Sequence, residues 1–355
     1  MPKTVKWCQT IFSKVNKART KALGYFVDGL LKGGKISVCN LGRSMRTRTT
    51  IKHNTKRIHR FIKNEKVVTS HFVTPLFETI CNHTKQRIIV AVDWTYASKL
   101  PILFAEVISD GRAMPFHWKV AHSNQGYSQN IIEDQFFREL KKITKGYDVI
   151  ILADRGFFRS PLAELLGTLG FNFIIRQPKT VCIYSDCYSG RLGKLEILGN
   201  LIRDIRYCRL TRKLGYFGRL VAVWDKKQKE AWYLATNLQE LNAKTIVKMY
   251  GYRFRIEENF RDIKGVRWGW HLKQIGVMDS KRVSLLILIA AVAYLFIMLV
   301  GIWAERNGKT KHLVPSTRKR RILSLAFAGK LLFYKARLGL PAMLSFAKYL
   351  VVCPV

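Results

Sequence analysis

The chain is 355 residues long, 48% hydrophobic and 12% aromatic, which allows a substantial core and more than one domain. Its 62 lysines and arginines stand against 23 acids, a net charge of +39 that predicts a polyanionic partner, either nucleic acid or an anionic membrane face. A ribosomal protein could carry this charge, but it would rarely need so many aromatic residues or so large a core.

Residues 1–82 read as short helices forming a basic, DNA-binding region. The first 70 residues carry 17 basic and 2 acidic side chains. In "NLGRSMRTRTTIKHNTKRIHRFIKN" the apolar set is sparse, Ile51, Ile58, Phe61 and Ile62, so one helix face is strongly basic and suits contact with a DNA backbone. The N-terminal "MPKTVKWCQTIFSKVNK" is basic without a long apolar core, so no cleavable signal peptide is expected. Seven scattered cysteines complete no zinc site and predict free thiols in a reducing cytosol.

The texture then changes. "RIIVAVDW" is apolar on both faces from Ile88 to Val92, as in a central strand, and ends in Asp93. "LPILFAEVIS" and "PFHWKVA" follow as two more strands around the turn "DGRAM". A helix over Ser128–Ile143 leads to a second buried strand, Val149–Ala153, ending in Asp154 and a glycine turn. "FNFIIRQ" is another strand. Residues 179–231 break into short β-like runs, read as a β-rich insertion, and "EAWYLATNL" resumes a buried strand. These segments predict an α/β fold with a mixed sheet flanked by helices, its core divided between 83–178 and 232–305.

Two hydrophobic strands thus end in an aspartate each. A strand-terminal aspartate alone is common as a turn former or N-cap. If the strands are neighbours, the two carboxylates lie close enough to repel unless a divalent cation sits between them. A third acid comes from "YGYRFRIEENFRDIKG", which reads as one continuous helix. There Tyr250, Arg253, Glu257 and Lys264 fall within about 60° of one another. Their stripe borders the apolar side, Met249, Ile256, Phe260 and Ile263, while Arg255, Glu258, Asn259 and Asp262 face water. Asp93, Asp154 and Glu257 are therefore candidate catalytic metal ligands for phosphoryl transfer. Tyr250, Arg253 and Lys264 are candidate phosphate contacts.

From Leu285 to Val300 sixteen apolar residues run without a break, long enough with their neighbours for a membrane span. A buried core helix has the same composition and is the preferred reading. The 306–355 region that follows is basic and contains no acid.

In this order and spacing the residues resemble the IS4-type DDE transposases. Tyr250, Arg253, Glu257 and Lys264 match that family's Y-(2)-R-(3)-E-(6)-K signature, and "VDWT" and "ADRGF" match the settings of its first two acids. Asp154 follows Asp93 by 61 residues and precedes Glu257 by 103. The resemblance implies an RNase H-like catalytic core and Mg²⁺, with Mn²⁺ as a substitute. It implies cut-and-paste transposition through a DNA hairpin, acting on terminal inverted repeats and target DNA as a homodimer in the bacterial cytoplasm. A tryptophan of the insertion stacks on a flipped base in such enzymes; Trp224 and Trp232 are the candidates. Two rival readings are a catalytically decayed DNA-binding repressor and a single-span membrane protein.

Overall fold

The computed structural model describes residues 1–81, 87–109, 111–121, 128–197, 201–211, 215–224, 230–264, 270, 275–276, 279–314 and 323–333. The chain opens with α1 (Lys3–Ile11), α2 (Lys17–Gly33), α3 (Val38–Ser44), α4 (Ile51–Lys63) and α5 (Ser70–Cys81). Next come β1 (Ile88–Ala97), β2 (Leu100–Ser109), β3 (Arg112–Val120), α6 (Gln129–Ile143), β4 (Val149–Ala153), α7 (Ser160–Thr168) and β5 (Asn172–Arg176). Then follow β6 (Cys182–Tyr184), β7 (Ser189–Arg191), β8 (Ile202–Leu210), β9 (Tyr216–Val223) and β10 (Trp232–Thr236). The last elements are α8 (Ala243–Gly251), α9 (Phe254–Lys264), α10 (Ser280–Arg306) and α11 (Leu325–Leu332).

Two units divide the chain. One comprises Met1–Thr84, Trp94–Gly126 and Glu257–Val352; the other comprises Lys85–Asp93, Tyr127–Ile256 and Cys353–Val355. The boundaries fall inside β1, after Asp93, and inside α9, before Glu257.

The first unit is mostly helical. Short polar side chains start its helices by accepting backbone N–H groups: Asn16 caps α2, Ser37 caps α3 and Thr50 caps α4. Its centre is α10. Among the described residues this is the one helix long and apolar enough to cross a membrane, yet its most apolar stretch is wholly buried within the chain. Trp7 meets Phe296 edge-on at 5.2 Å, and Trp118 Nε1 donates to Ser284 Oγ at 2.8 Å. Gly301 and Gly329 let α10 and α11 touch backbone to backbone. A Cβ on Gly301 would stand 2.0 Å from the Leu325 carbonyl oxygen, so only glycine fits. Each fully buried leucine or isoleucine here contributes about 1.5–3 kcal/mol. The basic region after Arg306 is described only in part: α11 packs on α10, and 334–355 lie outside the described residues.

The second unit is built on a sheet ordered β1-β4-β5-β10-β9-β8-β6-β7. β1, β4 and β5 are parallel, and every later pairing is antiparallel. The result is a mixed α/β architecture compatible with an RNase H-like core. Ile88–Val92 and Val149–Ala153 are all buried, which is why both runs are apolar on both faces. Strands β6–β9 occupy 182–223 and continue the same sheet, with a small core of their own around Ile183, Leu210 and Leu220.

Candidate active site

Strand register decides where the first two acids stand. The last register pair between β1 and β4 is Val92 with Ala153. Asp93 and Asp154 come next on neighbouring strands about 4.8 Å apart. Ala153 in turn pairs with Ile175 on β5, and Arg176 follows. Where the parallel pairing stops, Asp93, Asp154 and Arg176 therefore stand in a row; β4 and β5 end there, whereas β1, expected to end at Asp93, runs on to Ala97.

Asp154 begins the 3₁₀ turn Arg155–Phe157, but its side chain makes no capping bond. Its Oδ1 is buried without a hydrogen-bond partner. An ordinary N-cap would use that oxygen, so a turn-forming role does not account for it. A buried, unsatisfied carboxylate oxygen beside a second carboxylate is the donor set that a hard divalent cation takes.

The segment expected as one helix is broken. α8 ends at Gly251, α9 begins at Phe254, and Tyr252 and Arg253 form a turn between them. The turn is closed by short-range bonds from Tyr252 N–H to Met249 O at 2.9 Å and from Arg253 N–H to Tyr250 O at 3.0 Å. Glycine is a poor helix former, and the chain tightens into a turn here. Arg253 Nη1 lies 3.4 Å from Asp93 Oδ2. Tyr250 is buried, and burial pushes its phenol far above the ordinary pKa; Arg253 opposes that rise, Asp154 adds to it and Arg176 opposes it. Asp93, Asp154, Tyr250, Arg253 and Arg176 thus form one electrostatic cluster.

The family model of the transposase DDE domain matches residues 104–296. The chain belongs to that family. No curated protein matches it. Membership makes the protein a transposase with DNA as its substrate. The matched stretch contains Asp154, Tyr250, Arg253, Glu257 and Lys264 and begins after Asp93.

In the other unit, Glu257 is half-buried in the first turn of the transposase's α9. The face of α9 expected in water is the one that is held. Asn259 is fully buried and donates to Glu106 Oε2 of β2 at 2.7 Å. Arg112, the first residue of β3, donates to Glu258 at 2.7 Å and to Asp262 at 3.1 Å. Tyr294 of α10 donates to Asp262 at 3.2 Å. Periodicity alone assigned Glu258, Asn259 and Asp262 to solvent because they are polar. The β2–β3 hairpin and α10 supply the matching polar groups that let them be covered.

Among the described residues no group of three His, Cys, Asp or Glu side chains is close enough to hold a metal ion. The Lys264 side chain lies outside the described residues. The two tryptophans separate. Trp232 meets Tyr250 edge-on at 5.0 Å and lies 5.9 Å from Phe254, a packing role beneath the cluster. Trp224 is 44% exposed and lines a cavity of about 730 Å³ with Arg155, Arg176, Lys179 and Tyr233. Sequence reading missed Arg176, although "FNFIIRQ" already ended a buried strand in a cation. It also missed Arg112, which lies just after a turn and gives no local signal.

Proposed function

We propose that the protein is a metal-dependent DNA transposase in which Asp93, Asp154 and Glu257 are the catalytic carboxylates. The observation that supports this best is that Asp93 and Asp154 each follow the last register pair of the neighbouring strands β1 and β4, with Asp154 Oδ1 buried and unsatisfied. These residues would hold Mg²⁺, with Mn²⁺ as a substitute. When bound, such ions activate a water or a 3′-hydroxyl and stabilise the leaving oxygen. Tyr250, Arg253 and Lys264 contact phosphates at the DNA end. Because its phenol is held far above neutral pH, Tyr250 acts as a neutral O–H donor to a phosphate oxygen and not as a nucleophile. Arg253 keeps its charge and holds the Asp93 carboxylate in place.

Cleavage proceeds by the cut-and-paste route through a hairpin, in the manner of the IS4-type enzymes. Trp224, exposed at a basic cavity that includes Arg155 next to Asp154, is the better candidate of the two tryptophans for stacking on an extruded base. Residues 1–82 grip the terminal repeats, residues 179–231 form the insertion, and two copies act together in the bacterial cytoplasm.

The test is nicking of a duplex carrying the sequences that flank this gene, with Mg²⁺ or EDTA. Wild type should cut at the gene's ends only with metal, and Asp93→Asn, Asp154→Asn and Glu257→Gln should bind the duplex without cutting. Binding without cutting by the wild type in every condition would make the protein a decayed repressor instead.

A further inference from the structure

One sheet face of the second unit is decorated in a way the cleavage chemistry does not use. Tyr184 on β6 pairs in register with Arg209 on β8, and Arg209 pairs in register with Phe217 on β9. Directly paired residues project from the same face, so Tyr184, Arg209 and Phe217 stand in a row across three strands. The Arg209 guanidinium lies over the Tyr184 ring, 5.0 Å from its centre. The alternating residues Ile183, Cys208 and Leu210 turn to the opposite face and fill the small core. Phe217 is 70% exposed.

The next residues along β8 break the ladder. Register shifts between Ile205 and Cys208, which leaves Arg206 and Tyr207 in a bulge. Tyr207 has φ 54°, a left-handed backbone that costs a tyrosine strain, and its side chain is 77% exposed. Bulges of this kind re-aim side chains. Here the strain holds an aromatic ring out in water with no packing to repay it. Around the rings the charge is basic: Arg206 and Arg209 lie along β8, while Arg203 pairs with Ala222 of the small core and projects from the other face. Asp204, the acid among them, is held by buried Arg219 at 2.7 Å and lies 3.7 Å from the exposed Arg206.

The geometry points to a binding platform for unpaired DNA on the β6–β8–β9 face, with Tyr207 and Phe217 stacking on bases and Arg206 and Arg209 contacting phosphates. Exposed rings interleaved with guanidinium groups on a flat sheet fit a single strand. A strand offers ring faces for stacking and a backbone for the cations, whereas a duplex hides its bases. Two arginines beside exposed rings favour a polyanion over a protein partner. This inference rests on the proposed function only in taking DNA as the partner, and it requires neither the metal site nor terminal-sequence recognition.

The test uses the full-length protein and an unstructured single-stranded oligonucleotide containing 2-aminopurine and no terminal-repeat sequence. Wild type should bind it and quench the base by stacking. Tyr207→Ala and Phe217→Ala should each weaken that binding about tenfold and abolish part of the quenching. Tyr207→Phe should retain both, and duplex affinity and melting temperature should not move. Unchanged single-strand binding in both alanine variants would overturn the proposal. So would equal losses for single strand and duplex, or a change from dimer to monomer in sedimentation, which would make the face a contact between copies. Failure of duplex nicking in the wild type, with stacking intact, would sink the transposase mechanism and leave the platform standing.

Discussion

Arg253 Nη1 stands 3.4 Å from Asp93 Oδ2, with the arginine side chain 7% exposed and the aspartate 22%. In a pair this dry, removing one partner costs more than the pair contributes, because the other charge loses this compensation while staying largely out of water. Arg253→Ala is expected to destabilise the fold by about 1–3 kcal/mol. Asp93→Asn should cost less, since an amide oxygen still accepts from the guanidinium. The double variant should recover part of the stability lost by Arg253→Ala while remaining unable to cut DNA. Denaturant unfolding of the four proteins checks this, and strictly additive losses would show that the two side chains are not coupled.

Asp154 invites the opposite stability change. Its carboxylate follows Asp93's level on the adjacent strand and keeps one oxygen buried and unsatisfied. Asp154→Asn removes a charge from that setting, so in EDTA the variant should be as stable as wild type or more stable by up to about 1 kcal/mol. Cleavage should nevertheless vanish. A variant that melts several degrees lower would mean that Asp154 is structural, held by contacts other than a cation.

The two acids were legible in the sequence because a buried parallel strand announces itself as an apolar run and the first charge marks where that run stops; β4 ends there, but β1 continues to Ala97, which the run of apolar residues did not show. Register did the rest. Arg176 ends β5 at the same level as Asp154 and could have been found by the same rule. The surroundings of Glu257 were not legible. A helical wheel treats every polar residue as wet, so it misplaced Asn259, whose amide is buried against Glu106. It also assumed one uniform helix through Gly251, where short-range bonds close a turn instead. The apolar α10 carried a length consistent with a membrane span; its burial against α2 and β3 depends on partners far away in the chain.

Asp262 should make stability depend on pH with a defined sign. Burial raises its carboxyl above the ordinary value of 3.8, and Arg112 pulls the other way. The native chain therefore holds this proton more tightly than the unfolded chain does. Its contribution is fully present below about pH 3.8 and is lost as pH rises through the raised value. Compared with Asp262→Asn, wild type should lose stability across that window and run parallel above it. Arg112→Ala removes the opposing cation, so the loss should extend to higher pH and grow. Melting curves at pH 4 to 7 measure it; parallel curves for wild type and Asp262→Asn throughout would refute the assignment.

The exposed side of α4 carries Lys52, His53, Lys56, Arg60 and Lys63, while Asn54, Ile58, Phe61 and Ile62 are buried on the other. The turn before it is fixed from beneath: Thr47 and Thr49 both donate to Asn54 Oδ1 at 2.8 Å. The basic face is thus held rigidly, as a phosphate grip requires. Lys52→Ala, Lys56→Ala and Lys63→Ala should each weaken duplex binding and reduce the slope of log affinity against log salt by about 0.9. Melting should be unchanged, because exposed side chains contribute little to stability. Filter binding at several salt concentrations reads the slope. If the triple variant keeps the wild-type slope, α4 does not touch phosphates, and the grip must lie elsewhere on this strongly basic chain.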